Sequence, residues 1–204
     1  MKVEEFFSEG IKLAKPEYWT IFFNYIIFIL LIILASVTII GLLVVPALMM
    51  GFIQFILRAG RGEKVDVGDS LSWGFQDGMW LNSLIFSFIA GLGITIGFLL
   101  LVVPGIYLSV AWFLGVYLLV DKGLKPMEAL EKSRELVHEV GFWKVLIILL
   151  AMNMGVYIIA LVIPFFGSLA LLFLYPFVWM VQVAIYQRAI KGDTKLIDAD
   201  FQED

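Results

Sequence analysis

Cysteine is absent from the chain, histidine occurs once, and charge is scarce: Asp, Glu, Lys and Arg make up only 16% of the 204 residues. Each shortage excludes something. Without cysteine there is no disulfide, no thiolate metal ligand and no thiol nucleophile. A single histidine, His138, cannot supply the ligand set of a typical zinc site; near the end of a charged segment, it suits the carbonyl-rich end of a helix. A net charge of −4 gives no basic footprint for nucleic acid. Soluble domains carry about 25% charged residues, so this chain lacks the polar surface to enclose a core in water. The N-terminal MKVEEFFSEGIKLAKPEYW lacks the basic-then-apolar order of a cleaved signal peptide.

What remains is apolar. Hydrophobic residues are 62% of the chain and aromatics 15%, so lipid is the expected solvent for most of the surface. The charged residues are also unevenly placed. None falls between Glu17 and Arg58, between Asp77 and Asp121, or between Lys144 and Arg188. Each gap is about 40 residues, which as one straight helix would reach ~60 Å, twice the ~30 Å hydrocarbon core of a bilayer. Each gap therefore reads as two spans joined by a hairpin. The expected fold is all-α, a polytopic membrane protein with six transmembrane helices, near 19–39, 42–60, 79–100, 104–120, 142–162 and 165–188. All 14 Lys and Arg lie outside the gaps, on one side of this topology. By the positive-inside rule that side is cytoplasmic and both termini are inside. Arg58, near the end of the second span, must snorkel to the interface.

The six helices read as three helix-pair repeats, about 1–62, 63–123 and 124–192. The hairpin sequences match: LLVVP at Leu42–Pro46, LLVVP at Leu100–Pro104 and LVIP at Leu161–Pro164. Pro46, Pro104 and Pro164 are the expected hairpin prolines, since a helix tolerates proline in its first turn; Pro46 sits late in its gap, which moves the first turn toward Thr38–Gly41. Trp19, Trp80 and Trp143 recur at the cytoplasmic start of the odd-numbered spans, and Gly62, Gly123 and Gly192 close the units. Each unit opens with an amphipathic segment expected on the cytoplasmic side. Val3, Phe6, Phe7, Gly10 and Leu13 form the apolar face of the first. Val67, Leu71, Gly74 and Phe75 do so in the second, and Met127, Leu130 and Val137 in the third, which starts at Pro126. Such helices either lie in the interface plane or dock on the bundle; the charged third one suits docking. Residues 193–204 form a short acidic tail, expected to be disordered.

Polar residues inside the spans are the candidate functional groups: Asn24, Gln54, Asn82, Ser83, Ser87, Thr95, Ser109, Asn153, Ser168 and Gln182. Bonds between helices are their ordinary role, worth roughly 0.6 kcal/mol each. Lining a substrate path is the sharper role, with Asn24, Asn82, Asn153 and Gln182 as its candidates. Gly91, Gly93 and Gly97 allow close helix packing, either within the chain or between copies. Pro176 should kink the last span. The acids nearest the interface, Glu17, Asp77, Asp121 and Glu139, form no motif and have no metal partner, so no enzyme chemistry and no cofactor are expected. No span holds a central ionisable group, which argues against ion-coupled transport.

The stretch PGIYLSVAWFLGVYLLVDKGLKPMEALEKSRELV, Pro104–Val137, resembles a widespread prokaryotic membrane domain. That family includes stand-alone integral membrane proteins and the membrane domain attached to some glycerophosphoryl diester phosphodiesterases. Pro104-Gly105, Asp121-Lys122, Ala129-Leu130 and Ser133 carry the likeness, which extends loosely over 40–190. It implies a six-helix membrane domain and brings no functional residue with it. Nothing in the chain corresponds to the phosphodiesterase catalytic domain, so the resemblance implies no such activity. The expected role is a non-enzymatic membrane module, with membrane lipids, another membrane protein or a further copy of the chain as partners. A transporter or channel with a path between the repeats is the alternative.

Overall fold

Runs of Leu, Ile, Phe and Met that are free of charge satisfy their backbone polar groups internally by winding into helices. In a computed structural model describing residues 3–162 and 167–193, every regular element is helical, with no strand among the described residues. The order is α1 (Val3–Ala14), α2 (Tyr18–Ser36), α3 (Ile39–Gly60), α4 (Asp69–Trp73), α5 (Met79–Leu100), α6 (Val102–Ala111), α7 (Gly115–Asp121), α8 (Pro126–Val140), α9 (Phe142–Val162) and α10 (Gly167–Lys191), with a 3₁₀ turn at Gln76–Gly78.

Four segments are long and apolar enough to cross a membrane: Tyr18–Ser36, Ile40–Gly60, Met79–Leu100 and Val102–Asp121. The pair α8 and α9, bent by 95°, makes a fifth only where the two are counted as one broken span. The bend is made at Gly141, whose φ of 108° lies in the region that a side chain disfavours. The described residues thus give four to five apolar spans where the sequence reads six. The difference falls on the third pair. Residues 163–166 between α9 and α10 lie outside the described residues, and α10 carries Pro176 inside it and Arg188 and Lys191 in its last turn.

Two of the hairpin prolines can be placed. Pro104 sits in the first turn of α6, where its missing N–H costs no hydrogen bond. Pro46 is not at a turn: it lies about two turns inside α3. That hairpin is made by Thr38, whose side chain caps α3 by accepting from the Gly41 N–H at 2.9 Å. Pro164 lies outside the described residues, as do the side chains of Asp77 and Ser168.

The core forms where the second halves of α3, α7 and α10 meet. Phe52, Phe55, Ile56 and Leu57 of α3 are buried there with Tyr117 and Leu118 of α7 and Ile185 and Tyr186 of α10. Phe28 and Phe52 stack at 4.4 Å and tie α2 to this core. The segments before each pair also pack on it. Phe6, Gly10 and Ala14 of α1 are buried, and a Cβ on Gly10 would lie 2.7 Å from the Val181 backbone of α10. From α4 it is Ser70 and Gly74 that are buried against α3, while Val67, Leu71 and Phe75 stay exposed. In α8 the buried face is Ala129, Leu130, Ser133, Leu136 and Val137. Met127, expected on that face, is 57% exposed because the helix turns Ala129 and Ser133 inward instead. Asp193, assigned by sequence to the tail, is buried and pairs with Lys132 of α8; residues 194–204 lie outside the described residues.

Candidate functional site

Two places in the fold gather polar groups. The first is the charged end of the core. Arg61, which follows α3, pairs with the Asp121 carboxylate at the end of α7. The other carboxylate oxygen accepts from the Tyr186 hydroxyl of α10 at 2.7 Å. Gln187 donates to the Gly60 carbonyl at 3.2 Å, and one turn deeper the Tyr117 hydroxyl donates to Gln182 at 2.8 Å. Rings of Tyr117 and Tyr186 stack at 5.3 Å. Burial works against the Arg61 charge, but its bond to Asp121 outweighs this and holds the guanidinium above its ordinary value. Helix carbonyl ends that converge here would repel one another, and the basic residues beside them offset that. The three inner helices are therefore clasped together at this end.

The second place is a cleft of about 410 Å³ between the α5–α6 hairpin and α9–α10. Its walls include Phe98, Ile106 and Leu150, and Ser109, Asn153 and Gln182 supply its polar groups. Two of the four path candidates thus meet at one site. Ser109 donates to the Gly105 carbonyl at 2.8 Å and the Asn153 amide donates to the Leu149 carbonyl at 2.7 Å, both one turn back on their own helices. Neither bond crosses between helices, so these two groups do not knit the fold.

The other two candidates lie elsewhere. Asn24 is fully buried against α4, where its Oδ1 accepts from Ser70 at 2.7 Å and its Nδ2 has no partner among the described residues. Asn82 is half-buried on α5. Of the three glycines, Gly93 and Gly97 lie against α6: a Cβ on Gly97 would stand 3.0 Å from the Gly105 backbone, and one on Gly93 would meet the Trp112 ring. Gly91 faces open space. His138 lies 3.0 Å from the Tyr107 hydroxyl, and Arg58 covers the Trp73 ring at 4.4 Å. Among the described residues no cluster of three or more His, Asp or Glu could hold a metal ion.

Sequence reasoning set Asp121 aside as an acid without a motif and missed its clasp. A signal was present: a basic residue precedes glycine at Arg61-Gly62, Lys122-Gly123 and Lys191-Gly192, and tyrosine stands at the same distance before the last two pairs. No family model, curated protein or solved structure matches this chain.

Proposed function

We propose that the chain is a non-enzymatic, multi-pass module of a cell membrane that packs against lipid or another membrane protein. Six spans in three helix pairs, with both termini cytoplasmic, form this module. The observation that carries the reading is the far end of the hairpins. Leu34, Val37 and Ile40 between α2 and α3, and Leu99, Leu100, Leu101 and Val103 between α5 and α6, are exposed, Leu99 by 80%. Soluble proteins rarely leave so continuous an apolar surface in water. The charged residues gather at the opposite ends of the same helices, and the positive-inside rule makes that side cytoplasmic. At 1.5 Å per residue, α9 (21 residues) and α10 (25 residues) are each long enough for a ~30 Å core.

The docking order favours three equivalent units. The segment opening each unit packs on the second helix of the unit before it: α4 on α3, α8 on α7, and α1 on α10, which closes the ring. Each contact uses a small residue: Gly74 at Ala47, Ala129 at Gly115, Gly10 at Val181. With its apolar residues outward, α4 reads as the segment that lies in the interface plane; α8 reads as a docked cover. The likeness of Pro104–Val137 to the prokaryotic six-helix membrane domain agrees with this architecture.

Large aromatic and aliphatic side chains fill the space between the inner helices, which favours a closed module over a central pore. The cleft of Ser109, Asn153 and Gln182 favours the second reading, a lateral path for a hydrophobic molecule. Uptake into vesicles under an imposed pH or sodium gradient separates the two. The module reading expects no flux above protein-free vesicles. Gradient-driven flux that Asn153→Leu abolishes would replace it with transport.

A further inference from the structure

We propose that the lateral cleft between α5–α6 and α9–α10 binds an uncharged acylglycerol, whose ester carbonyl accepts from the Gln182 amide while its free hydroxyl donates to Asn153 or Ser109. This rests on the membrane reading above and names the occupant of the cleft.

The three polar groups that line the cleft are each tied to the protein at one end and open at the other. The buried Tyr117 hydroxyl has one acceptor among the described residues, the Gln182 Oε1 at 2.8 Å. Its proton fixes the amide with the oxygen toward Tyr117 and leaves the Nε2 hydrogens for the cleft. Asn153 is set the opposite way: its Nδ2 donates to the Leu149 carbonyl, and its Oδ1 is left to accept. Ser109 gives its only proton to the Gly105 carbonyl, and its oxygen can still accept. Neither the Gln182 Nε2 nor the Asn153 Oδ1 has a partner among the described residues. The cleft thus offers a donor and two acceptors, and within lipid no water competes for them. A carbonyl alone would leave the acceptors unmatched; a hydroxyl beside an ester matches both kinds.

Charge narrows the class. No ionisable side chain is among those that line the cleft. Asn153 is the twelfth of the 21 residues of α9, about 15 Å from either end, which in the six-span topology sets it deeper than the phosphate layer. A phosphate carried there would need a partner that the cleft lacks. Phe98, Ile106 and Leu150 line the cleft and are exposed, so it opens sideways to lipid. Its 410 Å³ takes a glycerol head with the first part of its chains, and the remaining length lies in the bilayer.

Ligand chemistry tests both bonds without altering the protein. The full chain is reconstituted in vesicles of phosphatidylcholine and phosphatidylglycerol that hold dioleoylglycerol and one competitor in equal amounts. The vesicles are floated after alkaline washing and extracted gently, and the chain is weighed with its bound lipid by native mass spectrometry. One competitor is the acetyl ester of dioleoylglycerol, which has no free hydroxyl; the other is the dioleyl ether of glycerol, which keeps the hydroxyl and has no carbonyl. One dioleoylglycerol should be retained, preferred over each competitor about fivefold, the factor for one ordinary hydrogen bond. Ser109→Ala with Asn153→Leu removes both acceptors and should bring dioleoylglycerol and its acetyl ester to parity, while the preference over the ether stays. Asn82→Leu, which removes an amide of α5 outside the cleft, should change neither ratio. Parity with either competitor in the unaltered chain, or a preference over the acetyl ester that survives the double change, would overturn the proposal. So would a retained phosphatidylglycerol that the double change releases, or a dimer that it dissociates. A chain that fails to float after the wash overturns the membrane reading and the cleft with it, whereas normal flotation with parity overturns the cleft alone.

Discussion

The two ends of the helix bundle are held by different means. At the charged end, α3, α7 and α10 bury aromatic side chains and then tie their termini through Arg61, Asp121, Tyr186 and Gln187. At the hairpin end, Val37, Ile40, Leu99 and Val103 point outward with no charged residue near them in sequence. A water-soluble bundle would show charge at both ends and along its outer faces. The contrast teaches that the surrounding solvent changes along the helix axis. Inside lipid, apolar burial between helices gains little beyond packing contacts, so polar ties at the wet end and close helix approach must supply much of the specificity.

Close approach should give the largest effect. A Cβ on Gly51 would lie 2.0 Å from the Ser70 carbonyl oxygen, so Gly51→Leu must push α4 off α3. Its expected cost is about 3 kcal/mol or more, since overpacking of this severity exceeds the usual range. Gly91→Leu on the open face of α5 should change stability by less than about 0.5 kcal/mol. Denaturant titration in detergent measures both; equal effects would break the contrast between packed and open helix faces.

The clasp comes next. The Asp121 side chain is 6% exposed and Arg61 40%. Asp121→Ala removes the arginine's ion pair and the acceptor of the Tyr186 hydroxyl bond together, at an expected cost of about 2 kcal/mol, below the ~3–5 of a fully buried pair because Arg61 still reaches water. The same titration checks it, and a loss under 0.5 kcal/mol would reduce the clasp to a surface pair.

How much of this was legible beforehand differs by scale. Gaps in charge located helices because lipid-facing and core-facing positions are both apolar, so a missing charge marks a span whichever way it faces. Thr38 and Gly41 were the readable signs of the first turn; Pro46 misled because a helix with tertiary support tolerates proline inside it. The break between α6 and α7 follows Trp112, whose ring lies where a Cβ on Gly93 would be; Gly115, which opens α7, is the one sign of it in the sequence. The Arg61–Asp121 pair joins residues 60 apart in the chain; helical periodicity is silent on such pairing, and only the recurring basic–glycine pairs pointed toward it. In the α4 segment the apolar pattern pointed to Val67, Leu71, Gly74 and Phe75; of these only Gly74 faces inward, together with Ser70, because only small residues fit against Ala47 and Gly51.

A smaller effect concerns pH. Burial lowers the charge preference of Lys132, but its bonds to Asp193 and Glu135 outweigh this and raise its pKa above the ordinary lysine value. A raised pKa contributes stability that is complete below the unfolded value, about 10.4, and is lost as pH climbs through the folded one. Melting temperature should therefore fall more steeply above about pH 10.4 for the unaltered chain than for Lys132→Met. Parallel curves would remove Asp193 from the set of residues that hold α8.

The smallest effect should be at the lateral cleft. Asn153 bonds only to Leu149 on its own helix, so Asn153→Leu should cost no more than the roughly 0.6 kcal/mol of an average buried polar contact in a membrane. A loss above about 2 kcal/mol would mean that the cleft is structural.

The difference in solvent between the two ends is tested most directly by single cysteines in a chain that has none of its own. Lys12→Cys and Lys64→Cys belong to the charged end, and Val37→Cys and Val103→Cys to the hairpins; all four positions are exposed. In sealed, right-side-out spheroplasts, an impermeant maleimide should reach the two hairpin positions and leave the two charged-end positions unmodified until the membrane is opened. Labelling of Lys64→Cys and Val103→Cys from the same side of an intact membrane would contradict the hairpin topology outright.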